Sequence, residues 1–398
     1  MSACYRELCI NTSKRRMEYS DFPMPDDYPD YPRHDLIAAY FERYVDHFGF
    51  RSSIRFETSV DRVEREGGAW RVTLSTGEAR RYDAVAVASG HHWSPRWPDP
   101  PFPGRFEGVS MHAHAYVDNE PFRGRRVVVL GMGNSAMDIA VESSEVAEAT
   151  FLASRRGAWI LPKYLFGRPS DTLPLPPWIP FEIRRLSVAA ILRLTVGKPT
   201  DYGLPAPDHP LGAAHPTISG RILERLRSGA IVPKPNIARF EGHDVVFTDS
   251  SRERADFVVY CTGYDVVFPF FNHHFLRADQ NDLPLYRRVF HPDPPSLFFI
   301  GLLQPLGAIM PLAEAQSRWI ADYLQGRYAL PEPGAMREDM QRERQALVAR
   351  YVASPRHTMQ VDFDDYLRDL ERERKAGARR AVRAGSCLPV PARASVGE

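Results

Sequence analysis

Residues 126–156 read RVVVLGMGNSAMDIAVESSEVAEATFLASRR, and the fold follows from them. Four apolar residues, 127–130, form an unbroken run of the kind a parallel strand shows when both its faces are covered. GMGNSA follows as a tight turn, MDIAVESS opens a helix, and ATFLAS (149–154) is the next strand. Within a strand–turn–helix–strand unit the G-x-G-x-x-A spacing has a mechanical meaning. Gly131 permits the turn, Gly133 lets backbone amides approach a pyrophosphate, and the small Ala136 allows close helix–strand packing. The candidate phosphate-binding residues are therefore Gly131, Gly133, Asn134, Ser135 and Ala136. A bare βα turn with no ligand is the alternative, and the complete unit argues against it. The second strand ends in Arg155 and Arg156 with no carboxylate, where an NAD site would carry Asp or Glu for the ribose hydroxyls. Two guanidiniums suit a 2′-phosphate, so NADP(H) is expected over NAD(H), a solvated surface pair being the alternative.

Upstream of this unit lies more α/β pattern. A helix is expected over residues 35–48, with Gly49 as its stop, and strands at 54–60 (IRFETSV) and 69–75 (AWRVTLS) flank Gly67 and Gly68. Residues 82–90 (YDAVAVASG) read as another buried parallel strand. The Pro-, Asp- and Tyr-rich stretch 21–32 cannot be a helix interior or central strand and is expected as a packed loop. Downstream, residues 157–217 read as a Pro-rich insertion holding one short apolar helix. Strands return at ARFEG, DVVFTD, FVVYCTG and SLFFIGL, amphipathic helices follow Leu312, and the tail from about residue 377 is expected to be disordered.

Composition removes several function classes. The 398 residues carry 51 Lys+Arg against 50 Asp+Glu, a net charge of +1, so nothing points to nucleic acid. Four scattered cysteines (Cys4, Cys9, Cys261, Cys387) make neither a disulfide framework nor a C-x-x-C redox pair, which excludes a disulfide reductase and fits a reducing cytoplasm. Residues 186–196 (LSVAAILRLTV) are too short to span a bilayer, and no metal-ligand spacing is visible. A small-molecule partner, with a possible homo-oligomer, is the remaining expectation.

Between the two α/β units stands FEGVSMHAHAY (106–116), which matches the F-x-G-x-x-x-H-x-x-x-Y/F pattern through Phe106, Gly108, His112 and Tyr116. With it the chain resembles the flavin-containing monooxygenases, class B flavoprotein monooxygenases. The resemblance extends over INTSKRRMEYSDFPMPDDYPDYP (10–32), VASGHH, GMGNSAMDIA, ASRRGAW, VVYCTGYD (258–265, with Cys261 where the family has Ala) and IGLLQPLGAIMPLAEAQSRW (300–319). It implies two Rossmann-like dinucleotide domains, one for FAD and one for NADPH inserted into it. Residues 1–120 are then expected as the first part of the FAD domain, 121–265 as the NADP domain, and 266–376 as the return to the FAD domain.

The implied chemistry is transfer of one oxygen atom of O2 to a soft nucleophile, an amine nitrogen or a sulfide sulfur. In the family NADPH reduces FAD, oxygen adds at the flavin C4a, and the hydroperoxide waits with NADP⁺ bound. By position, the resemblance places Asn11 at the flavin C4a as the catalytic hydrogen-bond donor, with Thr12, Gly263 and Gln304 on the cofactor side. It places Ser135, Ala136 and Asp138 along the NADP pyrophosphate, Arg155 and Arg156 at the 2′-phosphate, and makes His112 structural. Tyr116 in place of Trp points to the amine and sulfide branch over the Baeyer–Villiger enzymes, which remain the alternative with the N-hydroxylating oxygenases. The family's own first strand, G-x-G-x-x-G turn and helix for FAD do not occur in these 398 residues. The expectation is a truncated reading of a real monooxygenase, an inactive NADP-binding remnant being the competing one.

Overall fold

The computed structural model describes residues 4–173, 181–278, 281–351 and 357–384. The chain divides into two units, the first made of Met1–Ser13, Tyr28–Ile37 and His92–Asp265, the second of Lys14–Asp27, Ala38–His91 and Val266–Glu398. The architecture is mixed α/β throughout.

Two sheets organise the first unit. Its strands are β1 (Gly104–Phe106), β2 (Val109–His112), β3 (Arg126–Leu130), β4 (Ala149–Ala153), β5 (Val232–Lys234), β6 (Ile237–Gly242), β7 (Asp244–Phe247), β8 (Arg252–Arg254) and β9 (Phe257–Tyr260). Five of them form an all-parallel sheet in the order β5–β4–β3–β9–β2, with β3 at its centre. The others form a second sheet, β8–β7–β6–β1. The apolar run of β3 is unbroken because both of its faces are buried. Val127 and Val129 pack into one core with Met137, Ile139 and Ala140 of helix α1 (Asn134–Val146). Val128 and Leu130 point the other way, into a core with Phe151, Phe240, Phe247 and Val258. Full burial of each such side chain stabilises by about 1.5–3 kcal/mol, so this strand anchors the unit.

β3 leads to β4 on one side through α1, and β9 lies on its other side. The strand order therefore changes direction at β3, the place where open parallel sheets leave a crevice at their carboxyl ends. Gly131 sits at that edge with φ +146°, and a Cβ built on it would lie 2.7 Å from the Cys261 carbonyl oxygen. The end of β9 thus occupies the space a side chain would need.

The second unit holds a three-stranded antiparallel sheet (Val60–Glu66, Ala69–Leu74, Ala79–Tyr82) and a parallel pair joining Val85–Val87 to Leu297–Phe299. Helices Met310–Leu324, Pro333–Arg350 and Phe363–Arg383 complete it. The fully buried Gln316 ties two of them together: its carbonyl accepts from the Gly301 amide at 2.8 Å and its amide donates to the Tyr366 hydroxyl at 2.7 Å.

Several expectations need correction. The strand expected from residue 54 begins at Val60, because the Gly67–Gly68 turn pairs Glu66 with Ala69 and the partner strand ends at Leu74, opposite Val60. Residues 92–120, expected with the start of the FAD domain, fall in the first unit with 121–265: β2 is the edge strand of its parallel sheet, in register with β9 from Val109/Phe257 to His112/Tyr260. The tail expected to be disordered from 377 is helical to Arg383. Gly377 is the place where the Tyr328 ring packs, so close that a Cβ would lie 1.9 Å from it. Residues 385–398 lie outside the described residues. In the insertion the helix spans Phe181–Thr195, five residues earlier than the sequence indicated, and a hairpin pairs Tyr164–Leu165 with Arg168–Pro169.

Gly131→Ala tests the close approach. The added methyl group meets backbone, not a side chain that can swing away, so we expect the variant to lose about 1–3 kcal/mol of unfolding free energy. Chemical denaturation that finds the two proteins equally stable would show that the turn tolerates a Cβ.

Candidate active site

The site is built at the carboxyl edge of the parallel sheet. Gly133 is the N-cap of α1 and offers no side chain to the helix start. The amides of Asn134, Ser135 and Ala136 are therefore left for an external acceptor, at the end of the helix where its dipole favours an anion. Asn134 uses its side-chain oxygen to accept from the Ile218 amide at 2.9 Å, and Thr217 donates to the Met132 carbonyl at 2.5 Å. The distal end of the insertion is thus fastened to both sides of the glycine turn. Arg155 and Arg156 follow β4 and are exposed. Arg156 approaches Asp208 at 3.6 Å, and Arg155 has no acidic partner among the described residues. An arginine pair at a strand end beside open helix amides fits an adenosine 2′-phosphate and its pyrophosphate.

Phe106, Gly108, His112 and Tyr116 serve this arrangement structurally. The Phe106 ring lies over Gly108, where a Cβ would come within 2.5 Å of it and 2.6 Å of the Asp256 carbonyl oxygen. His112, 3% exposed at the end of β2, accepts at Nδ1 from the His114 amide at 3.1 Å. Its ring stands 5.7 Å from that of Trp97 and 5.4 Å from that of Tyr264. Burial lowers its pKa and holds it neutral. Tyr116 is buried, and its hydroxyl donates to Glu142 Oε2 at 2.5 Å.

Glu142 has a counterpart one turn earlier on α1. Tyr5 donates to Asp138 Oδ2 at 2.5 Å, and the Tyr5 and Tyr116 rings meet at 5.6 Å. Two carboxylates at i and i+4 on one helix each take a tyrosine hydroxyl. Burial is the chief cause that pushes the Glu142 carboxyl up to about 7, with donation from Tyr116 opposing it. Asp138 is raised as well, again chiefly by burial, against the hydrogen bond of Tyr5 and the charge of Lys163.

Asn11 and Thr12 belong to the same unit, in the segment that Tyr5 anchors. The Asn11 carboxamide has no hydrogen-bond partner among the described residues, and Thr12 is buried beside it. Gly263 follows β9 with φ +89°, a conformation that favours glycine. Gln304 belongs to the second unit, in a short strand, Gln304–Leu306, paired with Gln360–Asp362. The described residues contain no group of three or more His, Cys, Asp or Glu able to hold a metal ion.

Comparison with known proteins agrees with this geometry. The profile of the family described as "Flavin-binding monooxygenase-like" matches residues 1–379. The chain is 37% identical over 390 residues to human "Flavin-containing monooxygenase 5", covering 93% of this chain and 73% of the human protein. Against the chimpanzee "Dimethylaniline monooxygenase [N-oxide-forming] 2" the identity is 32% over 392 residues, 94% of this chain and 73% of that protein. The chain belongs to the flavin-binding monooxygenase-like family. It is an oxidoreductase of the flavin-dependent monooxygenase type. Among solved structures, S-allyl-L-cysteine S-oxygenase from Allium sativum superimposes with a TM-score of 0.69 at 26% identity, over 96% of this chain and 78% of that one. The two-unit α/β fold expected from the sequence is the fold of this family.

Glu142, Tyr5, Lys163 and Asp171 were not singled out from the sequence. Glu142 carried a signal: it falls four residues after Asp138 in a helix whose remaining residues at this level are apolar. The others join the site only through long-range contacts.

The buried acid pair has a pH signature. Glu142 holds a proton up to about pH 7 in the native state and releases it near its ordinary 4.5 once unfolded. Stability is therefore lost as pH rises from about 4.5 to 7, by up to about 3 kcal/mol. Glu142→Gln keeps an acceptor for Tyr116 and removes the titration. Thermal unfolding across pH 5–8 should show the variant gaining on the parent as pH rises; parallel curves would mean that Glu142 titrates normally.

Proposed function

We propose that the chain is an NADPH- and FAD-dependent monooxygenase that transfers one atom of dioxygen to the nitrogen of an amine or the sulfur of a sulfide. The observation that carries this reading is the uncapped α1 amide cluster beside Arg155 and Arg156, in a member of this monooxygenase family. The cofactors that membership implies are FAD and NADPH. The chemistry they supply when bound is hydride transfer to the flavin and activation of dioxygen there.

The residues present fit the nicotinamide nucleotide and, through Asn11, the reacting edge of the flavin; a glycine turn for the FAD pyrophosphate does not occur in these 398 residues. For the nucleotide, the amides of Asn134, Ser135 and Ala136 would hold the pyrophosphate, and the arginine pair the 2′-phosphate. Asp138, which the resemblance also sets along the pyrophosphate, has its carboxyl pKa raised by burial and accepts a hydrogen bond from Tyr5. For the flavin, Asn11 offers an unengaged carboxamide whose N–H can donate to an oxygen at the reacting edge, with the buried Thr12 next to it in sequence; Gln304 is read as a flavin-side residue of the second unit by the family resemblance alone. Residues 121–265 are read as the NADP-binding part, with Gly263 on the return to the flavin-binding part.

The substrate preference for amines or sulfides is supported by the names of the relatives, one an N-oxide-forming dimethylaniline monooxygenase and one a cysteine S-oxygenase. The free cysteines Cys9 and Cys261 accord with a reducing, cytoplasmic setting. No helix among the described residues is long and apolar enough to cross a membrane.

The test supplies purified protein with FAD and NADPH and offers N,N-dimethylaniline and an alkyl aryl sulfide. N-oxide or sulfoxide should form with consumption of O2; NADPH oxidation with no oxygenated product from either would overturn the reading. Arg155→Ala/Arg156→Ala should raise KM for NADPH about 10- to 100-fold, the weight of one or two charge-assisted hydrogen bonds, and leave KM for NADH within about twofold. Equal losses for both nucleotides would place the 2′-phosphate elsewhere.

A further inference from the structure

Asn11 lies in a segment that an element of the Pro-rich insertion takes hold of on both sides. The hairpin of residues 163–170 closes on itself: the Ser170 amide donates to the Lys163 carbonyl at 2.9 Å and the Ser170 hydroxyl to the Pro162 carbonyl at 2.8 Å. Lys163 opens this hairpin and Asp171 follows directly on it, so its base presents one cation and one anion side by side. Lys163 Nζ donates to the Ile10 carbonyl at 3.4 Å, and Asp171 Oδ2 accepts from the Ser13 amide at 2.7 Å. Those two contacts straddle Asn11 and Thr12.

The hairpin is itself braced. Tyr31 donates to the Lys163 carbonyl at 2.5 Å, its ring meets Tyr164 edge-on at 5.3 Å, and Lys163 Nζ stands 5.0 Å above it. Next to Tyr31, the Pro32 carbonyl accepts from the Ile10 amide at 3.0 Å. The Ser13 side of the contact is dry: Ser13 is 1% exposed, and its Oγ and Asp171 Oδ1 are buried with no hydrogen-bond partner. A carboxylate that accepts a backbone N–H in such surroundings makes a strong, charge-assisted bond, because water does not compete for it.

We infer that Lys163 and Asp171 are positioning residues for Asn11: the hairpin base fixes the backbone on either side of it and so sets the direction of its free carboxamide. The inference rests on the role given to Asn11 under the proposed function. It assigns to the start of the insertion a task in the oxygenation step, distinct from shaping a substrate pocket. A donor that must meet one oxygen atom has to be held to within about half an ångström, and the short 10–13 segment contains no helix or strand of its own to do that.

The experiment compares Asp171→Ala, Asp171→Asn, Lys163→Met and Asn11→Ala in the full chain, by two readouts. Hydrogen–deuterium exchange of a peptide spanning residues 9–16 reads the grip without any cofactor. Asp171→Ala should speed exchange at the Ser13 amide at least tenfold, Asp171→Asn, which keeps an acceptor oxygen, less than threefold, and peptides from β3 and α1 should exchange as in the parent. The second readout is coupling, the fraction of oxidised NADPH recovered as oxygenated product and not as hydrogen peroxide. Asn11→Ala and Asp171→Ala should each lower it severalfold, Lys163→Met about twofold, with Asp171→Asn close to the parent. Unchanged Ser13 exchange in Asp171→Ala overturns the inference, as does faster exchange with full coupling while Asn11→Ala uncouples. Full coupling in Asn11→Ala would instead overturn the role of Asn11 on which the inference rests.

Discussion

The approach of the Cys261 carbonyl to Gly131 is the constraint from which the arrangement of the first unit follows. β9 can lie against β3 through to its carboxyl end only if the first residue of the turn has no side chain. That contact sets where β3 stops and where α1 starts. The helix begins without a capping side chain, and its unmet amides face the crevice where the strand order turns back. An uncapped helix start at the sheet edge, the feature on which the proposed phosphate contact rests, is thus a consequence of how three strands and one helix meet. The two arginines after β4 lie where they do because β4 is in register with β3 residue for residue, from Arg126/Ala149 to Leu130/Ala153.

The same helix carries an electrostatic load along its flank. Glu142 is buried and Asp138 half-buried, and each accepts a hydrogen bond from a tyrosine hydroxyl. Tyrosine donation lowers the cost of burying a carboxylate without fully offsetting it, and Glu142 accordingly keeps its proton to near neutral pH. The tyrosines come from different places: Tyr116 closes the Phe106 to Tyr116 pattern and Tyr5 opens the segment that leads to Asn11. α1 is therefore the common post to which the pattern and the Asn11 segment are both tied. The family pattern gains a physical meaning here. The Phe106 ring packs against Gly108, His112 ends a strand and caps the turn after it, and Tyr116 reaches the helix.

Much of this was legible from local pattern. The βαβ unit, its glycines, the arginine pair, the helix ending at Phe48 and the parallel strand at 85–87 each announce themselves within a dozen residues, because strand burial and helix starts leave periodic and positional marks. The misreadings have local causes as well. A strand beginning at 54 was expected from alternation, but the length of its partner decides where pairing ends. A disordered tail was expected from Gly377, whose missing side chain is a packing requirement set by Tyr328, nearly fifty residues away.

By itself, then, the sequence determined the α/β class, the strand–turn–helix unit with its glycines, the arginine pair after β4 and the family, since all of these reside in contiguous motifs whose spacing is enforced by backbone geometry. Only the tertiary structure decided which side chains complete the site. Tyr5 reaches Asp138 across 133 residues, and Asp171 reaches the Ser13 amide across 158. It also decided that residues 92–120 belong to the first unit, through the pairing of β2 with β9. The physical reason is the same in each case. A hydrogen bond or a strand register between distant segments depends on where the folded chain brings them, and it leaves no periodicity in either segment alone.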